Sequence, residues 1–246
     1  MHGFANPARF LRLARRLTPA LLGVGAAVTA VALWFGFVLA PAERLQGETV
    51  RILFVHVPAA WLGMGAWTGL AIASLAEIVW RHPLAALAGR AIAVPGAFFT
   101  ALCLATGSIW GRPAWGTWWV WDGRLTSMLV LLLLYFAYIA LADAAARDAG
   151  WGPGQSRAPA IFGLVGAVNI PIINRSVVWW NSLHQPPSIT VGLMGGKSAI
   201  DPAFLGGLLA ATIGFTLLFG AIVLMRMRAL LADVQADARL RRLAQG

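Results

Sequence analysis

Two histidines, a run of tryptophans and a few arginines are the residues of this chain whose types and spacing could do chemistry. His56 lies in RILFVHVPAAW and His184 in VVWWNSLHQPP. Between them, residues 110–126 read WGRPAWGTWWVWDGRLT, a stretch that holds five of the protein's twelve tryptophans. Two imidazoles brought to one place suit axial ligation of a haem iron. Zinc is the weaker alternative: it prefers four ligands, no Cys, Asp or Glu lies at ligand spacing beside either histidine, and Asp122 is the only plausible third. If residues 114–126 are helical, Trp115, Trp118, Trp119 and Asp122 share one face, and Trp121 and Arg124 point elsewhere. A flat aromatic shelf of this kind would hold a planar macrocycle by stacking and area burial. The carboxylates of such a ligand would find cations in Arg51, Arg112, Arg124, Arg175 and Lys197, and Arg can grip a carboxylate bidentately. An interfacial aromatic belt would explain one or two tryptophans but neither Asp122 nor Arg124. Asp122 has a second reading, as the cap of a helix starting at Gly123.

The elements that must position these residues are membrane spans. Of 246 residues 59% are hydrophobic and only 11% charged, against roughly half and a quarter in a soluble domain. A span needs about 20 apolar residues. Six runs qualify, over about 18–40, 52–80, 91–109, 125–145, 159–178 and 203–225. The expected fold is an all-α polytopic integral membrane protein, a single six-helix domain over residues 1–246. No cleavable signal peptide is expected, because the first apolar run is too long and lacks a cleavage site. With six spans both termini share a side. Thirteen of the nineteen Lys and Arg residues fall in the tails and the even loops, which predicts cytoplasmic termini and an outward tryptophan loop. The outer loops that carry the candidate site are then 110–126 and 179–202. The net charge of +10 therefore reads as topology charge, not as a nucleic-acid footprint.

Several other residues read as structural. His2 and His82 stand alone and are taken as solvated. Cys103 reads as a small packing residue. No CxxC or CxxCH occurs, which argues against thiol–disulfide chemistry and covalent haem attachment. No GxxxxGK[ST] occurs either, so ATP hydrolysis by a P-loop is not expected. Glu77 is expected to pair with Arg81 near the inner end of the second span. The tail from Ala229 to Ala244 has apolar and charged residues at helical spacing and is expected to continue the sixth helix into the cytoplasm.

The chain resembles the cytochrome c maturation family CcmC (haem exporter protein C). The motifs that carry this are WGTWWVWDGRLTS at 115–127, HVPAAW at 56–61 and WWNSLHQ at 179–185. The resemblance implies non-covalent haem b at the periplasmic face of the bacterial inner membrane, with His56 and His184 as axial ligands. It places the haem against the tryptophan motif, with Trp115, Trp118, Trp119 and Asp122 as contacts and Arg51 and Arg124 as the family's arginines. The implied partners are a periplasmic haem chaperone, ABC-transporter subunits and a small single-span subunit. Gly123 and Met128 are positions where variation is expected. The implied role is haem handling without catalysis, so not an enzyme. Two other classes remain open. A cytochrome b-like redox subunit usually places its histidines inside the bundle, whereas here no histidine lies at mid-span. A transporter moving haem across the bilayer would use broken helices near the midplane, and Asn169, Pro171 and Asn174 in the fifth span and Pro95–Gly96 in the third are the residues that would suit it.

Overall fold

Helices follow one another along the whole described chain in the computed structural model, which describes residues 6–149, 156–180, 182–184 and 200–244. α1 (Pro7–Trp34) ends in a π-helical turn, Phe35–Leu39, and a 3-10 turn, Glu48–Ile52, leads into α2 (Leu53–Trp80). α3 (Ala85–Trp115), α4 (Gly123–Ala149), α5 (Ala158–Gly166), α6 (Asn169–Trp179) and α7 (Pro202–Leu243) complete the order. Among the described residues there is no strand, only an isolated bridge between Glu43 and Gly47. Six segments are long and apolar enough to cross a membrane, α5 and α6 together forming the fifth. The chain is a multi-pass, all-helical membrane protein.

Several boundaries differ from the sequence expectation, and α1 already starts at Pro7 instead of near residue 18. α3 begins at Ala85 and runs past the apolar stretch to Trp115, taking the start of the tryptophan segment into the helix. Gly116 ends it, with φ 77° and its N–H on the Arg112 carbonyl at 3.0 Å. Positive φ costs glycine little, which is why helices stop there. The fifth span is broken between Gly166 and Asn169. Pro171 brings no N–H to its own helix, and the Asn169 amide instead donates to the Ser127 carbonyl of α4 at 2.9 Å. α7 continues to Leu243, as its spacing predicted. At 42 residues and about 1.5 Å per residue it is roughly twice as long as a ~30 Å hydrocarbon core.

The core forms around Trp67 of α2, which is fully buried. Its Nε1 donates to the Gly163 carbonyl at 3.2 Å, and Tyr135 packs edge-on at 4.8 Å. Tyr135 in turn donates its hydroxyl to the Gly63 carbonyl at 2.7 Å. That ring fits only because Gly96 has no side chain: a Cβ there would lie 2.5 Å from the Tyr135 hydroxyl oxygen. The α2, α3, α4 and α5 segments are thus locked by aromatic rings set into glycine gaps. α1 and α7 pack along each other beside them.

Polar contacts mend the helices where prolines interrupt them. Pro95 removes the donor that the Ala91 carbonyl would have received within α3. Arg226 of α7 supplies it instead, with Nε 3.1 Å from the Ala91 oxygen. At the same end Arg90 pairs with Asp143 at 2.5 Å. The expected Glu77–Arg81 pair does not form. Arg81 takes the left-handed conformation, φ 48°, that ends α2, and the charge that acts on Glu77 is Arg157.

Candidate functional site

α2 and α3 together build a wall around His56. Cys103, Thr106, Gly107 and Trp110 recur at helical spacing and so share one face of α3. The His56 ring lies against that face. Its Nδ1 is 3.1 Å from Thr106 Oγ1. Gly107 leaves room for it, since a Cβ at that position would sit 2.9 Å from His56 Cε1. Trp110 meets the imidazole edge-on, with ring centroids 5.7 Å apart. The Trp110 indole is fixed in turn by Gln46, whose side-chain oxygen accepts from Nε1 at 2.8 Å. Gln46 belongs to a tight turn held by Glu43, whose Oε2 accepts from the Leu45 and Gln46 N–H groups at 2.8 Å each. The first connecting loop is thereby tied to the His56 wall. Those hydrogen bonds to Gln46 and Leu45 hold the Glu43 carboxyl below the ordinary glutamate value.

His184 is held by Asp122. The carboxylate's Oδ1 accepts from the Leu125 N–H at 2.8 Å and so caps α4. Its Oδ2 accepts from Ser182 Oγ at 2.5 Å and faces His184 Nδ1 at 2.8 Å. The His184 backbone N–H donates to Ser182 Oγ at 3.0 Å, which closes the loop. Asp122 therefore caps α4 with one oxygen and faces His184 with the other. Burial alone would push this carboxyl up. Hydrogen bonds from Ser182, the Leu125 N–H and His184 outweigh it and leave the group below the ordinary aspartate value. For His184 burial draws the ring down, and Asp122 only partly offsets that. The net shift favours the neutral imidazole, the form that ligates metals. Trp115, at the end of α3, packs edge-on to it with centroids 4.7 Å apart.

The tryptophan segment does not form the helical face expected of it. Residues 116–122 are irregular between α3 and α4, because Gly116 ends one helix and Asp122 caps the next. Trp115 and Asp122 still meet, but at His184 and through a loop rather than along a helix. Trp118 is 56% exposed and Trp121 76%. Trp119 packs edge-on to Trp121, at 5.4 Å, and its indole Nε1 is buried without an acceptor among the described residues. Ser108 of α3 pulls this loop back by donating to the Trp118 carbonyl at 2.8 Å.

The arginines divide. Arg124 lies within electrostatic range of Asp122, His184 and His56. Arg51 instead donates to the Phe37 carbonyl and, at 3.2 Å, to that of Ala40, and it pairs with Glu48 at 2.7 Å. It satisfies the last carbonyls of the first span, where a cation is also favoured by the helix dipole. Arg112 closes the end of α3 on the Gly116 carbonyl, and Arg175 is exposed. Lys197 and most of the 179–202 loop lie outside the described residues. A Cβ at Gly123 would meet the Trp180 ring at 2.9 Å and Ser176 Cβ at 3.1 Å, so a side chain there requires Trp180 to shift. Met128 is buried in the central core, so the expected variation there is confined to side chains that fill the same space.

Sequence reasoning missed Thr106, Gln46 and Ser182. Thr106 carried a faint signal, a hydroxyl one turn from Cys103 and Trp110 in an apolar span. Ser182 and Gln46 carried none, since their partners are distant in sequence.

A shallow cleft of about 330 Å³ lies beside the His184 pair, lined by Val120, Trp121, Asp122, Ser182 and Leu183. A second cavity, of about 160 Å³, lies at the other end of the bundle among Arg90, Tyr138, Asp143 and Arg226. It is remote from both histidines. Among the described residues no three His, Cys, Asp or Glu side chains come together, which disfavours zinc. Two imidazoles with aromatic edges beside them, a cation within range and a buried indole donor lacking an acceptor fit a bis-histidine macrocycle that bears carboxylates.

The model of the family described as "Heme exporter protein C" matches residues 1–242. A heme exporter protein C from Bradyrhizobium diazoefficiens is 50% identical over 227 residues, covering 91% of this chain and 82% of the relative. The heme exporter protein C of Escherichia coli K12 is 44% identical over 233 residues, 94% of this chain and 90% of the relative. A putative cytochrome c biosynthesis ccmC-like mitochondrial protein of Marchantia polymorpha is 40% identical over 201 residues, 81% and 84% of the two chains.

Proposed function

We propose that this chain, which belongs to the heme exporter protein C family, handles haem for cytochrome c maturation by holding it between His56 and His184 at the tryptophan end of the bundle. The observation that carries this reading is that the two histidines, far apart in sequence, each have Nδ1 engaged by a protein group while aromatic edges flank them. Haem b is held without a covalent bond, in keeping with the absence of CxxCH. With His56 and His184 both as its ligands, a bound haem would offer no open position to a substrate, which suits holding and transfer rather than catalysis. Of the chain's own groups, the imidazoles would hold the iron, while Trp110 and Trp115 limit the tilt of their rings. Arg124 and the Trp119 indole N–H are placed to meet carboxylates.

Both termini face the cytoplasm and the tryptophan end faces the periplasm, as the Lys and Arg distribution supports. There a periplasmic haem chaperone takes the haem, with ABC-transporter subunits and a small single-span subunit as the membrane partners. The cytochrome b-like and transporter readings gain no support from the site. Both histidines sit at helix or loop ends, and the broken fifth span has its Asn169 amide spent on α4. The test is the optical spectrum of the purified chain. A low-spin bis-imidazole spectrum should be lost in His56→Ala and in His184→Ala. A double variant that retains its full haem complement would sink the assignment.

A further inference from the structure

The hydrogen bonds at the two Nδ1 atoms determine more than ring orientation. Thr106 Oγ1 donates its single proton to the Leu102 carbonyl one turn earlier, at 2.7 Å, with the Cys103 carbonyl at 3.2 Å as the alternative. A hydroxyl has one proton and two lone pairs. With the proton spent on a carbonyl, Thr106 shows His56 a lone pair. His56 Nδ1 must then carry hydrogen, which leaves Nε2 bare. His184 reaches the same state by another route. An ionised carboxylate only accepts, so Nδ1, 2.8 Å from Asp122 Oδ2, is the protonated nitrogen. Ser182 cannot reverse this, because its own proton is given to Asp122 at 2.5 Å.

The two acceptors are unequal. A hydrogen bond to a charged group is roughly twice as strong as one between neutral groups. A carboxylate behind a ligating imidazole also raises its basicity as a ligand, whereas a hydroxyl that is already donating does so weakly. The Asp122 side chain is only 6% exposed, and it is anchored to the start of α4.

We propose that Thr106 and Asp122 are positioning residues that set His56 and His184 in the same Nδ1–H tautomer, with Asp122 making His184 the firm ligand and Thr106 leaving His56 the ligand that yields on transfer. This rests on the reading of the two histidines as haem ligands, but its first half concerns the free chain. The hydroxyl–imidazole contact is therefore testable without haem.

The experiment has two arms. In the first, the haem-free chain is labelled with 15N-histidine in detergent micelles, and the Nδ1 and Nε2 shifts are read directly. Both rings should show the Nδ1–H pattern. Thr106→Val should mix the tautomers of His56 and leave His184 unchanged, and Thr106→Ser should restore the pattern. An Nε2–H pattern at either ring in the unaltered chain would overturn the tautomer assignment. In the second arm the haem-loaded chain is titrated with free imidazole and the loss of the protein-bound spectrum is followed. Asp122→Asn, which keeps a helix-capping side chain, should weaken retention about 10-fold or more, within the range found for groups behind metal ligands. Thr106→Val should weaken it by a clearly smaller factor. Equal factors, or a larger one for Thr106→Val, would overturn the ranking of the ligands. A chain that binds no haem with both histidines intact would overturn the haem reading and with it the ranking, whereas the tautomer result would stand.

Discussion

Arg226 is worth isolating, because the structure gives it one main task whose energy can be separated. Its Nε donates to the Ala91 carbonyl at 3.1 Å, a group orphaned by Pro95 and belonging to a residue that is fully buried. Arg226→Met keeps most of the apolar stem and removes the donor. A buried carbonyl left without a partner costs about 1–3 kcal/mol, and hydrocarbon surroundings offer no water to relieve it. Arg226 also lies in the field of Asp143 and Arg90; it is partly exposed there, so its loss from that group is worth only about 0–1 kcal/mol. The two contributions separate in a double-mutant cycle with Pro95→Ala. Alanine restores an N–H to α3, and that N–H reaches the Ala91 oxygen from within the helix. In that background Arg226→Met should cost only the electrostatic part, giving a coupling equal to the carbonyl part, about 1–3 kcal/mol. The assay is equilibrium unfolding by SDS in mixed micelles, followed by tryptophan fluorescence, of the four chains in parallel. A cost for Arg226→Met that is the same within about 0.5 kcal/mol in both backgrounds would refute the repair of the proline gap by Arg226.

Further outcomes follow from the glycine gaps and the loops. Gly96→Ala should destabilise by about 1–3 kcal/mol, the range for overpacking a filled core, because its Cβ would meet the Tyr135 ring at 2.5–2.6 Å. Gly65→Ala, with nothing within 4 Å of its Cβ, should be neutral or stabilising by up to about 1 kcal/mol; the same unfolding assay compares them. Gly123→Ala should displace Trp180, seen as a change in tryptophan emission, since the gap there is 2.9 Å. Glu43 gives the pH test. Its folded value lies below the ordinary one, so its contribution is complete above the unfolded glutamate value and is lost as pH falls through the lower folded value. The Leu45 and Gln46 amide resonances should shift across that acid window, and Glu43→Gln should abolish the shift. An unchanged acid transition in Glu43→Gln would assign it to another group.

The sequence by itself determined the number of spans, the helical class and the identity of the residues worth suspecting. Runs of about 20 apolar residues cross a membrane whatever surrounds them, so six spans were legible from composition alone. The concentration of tryptophans and the two lone histidines were legible for a similar reason: each is costly or unusual where it stands. Periodicity failed at 116–122, where one helical face was expected. A period describes a helix only while the helix continues, and Gly116 with positive φ and Asp122 as a cap interrupt it.

Only the tertiary structure decided what each polar group does. Asp122 meets Ser182 and His184 across sixty-odd residues of chain, His56 meets Thr106 from another helix, and Arg51 turns to the end of the first span. A carboxylate, a hydroxyl and a guanidinium each have several possible partners, and their types do not choose among them. The choice is made by the packing of α2 on α3, and by the need of every buried donor and acceptor to find its complement where no water can supply one.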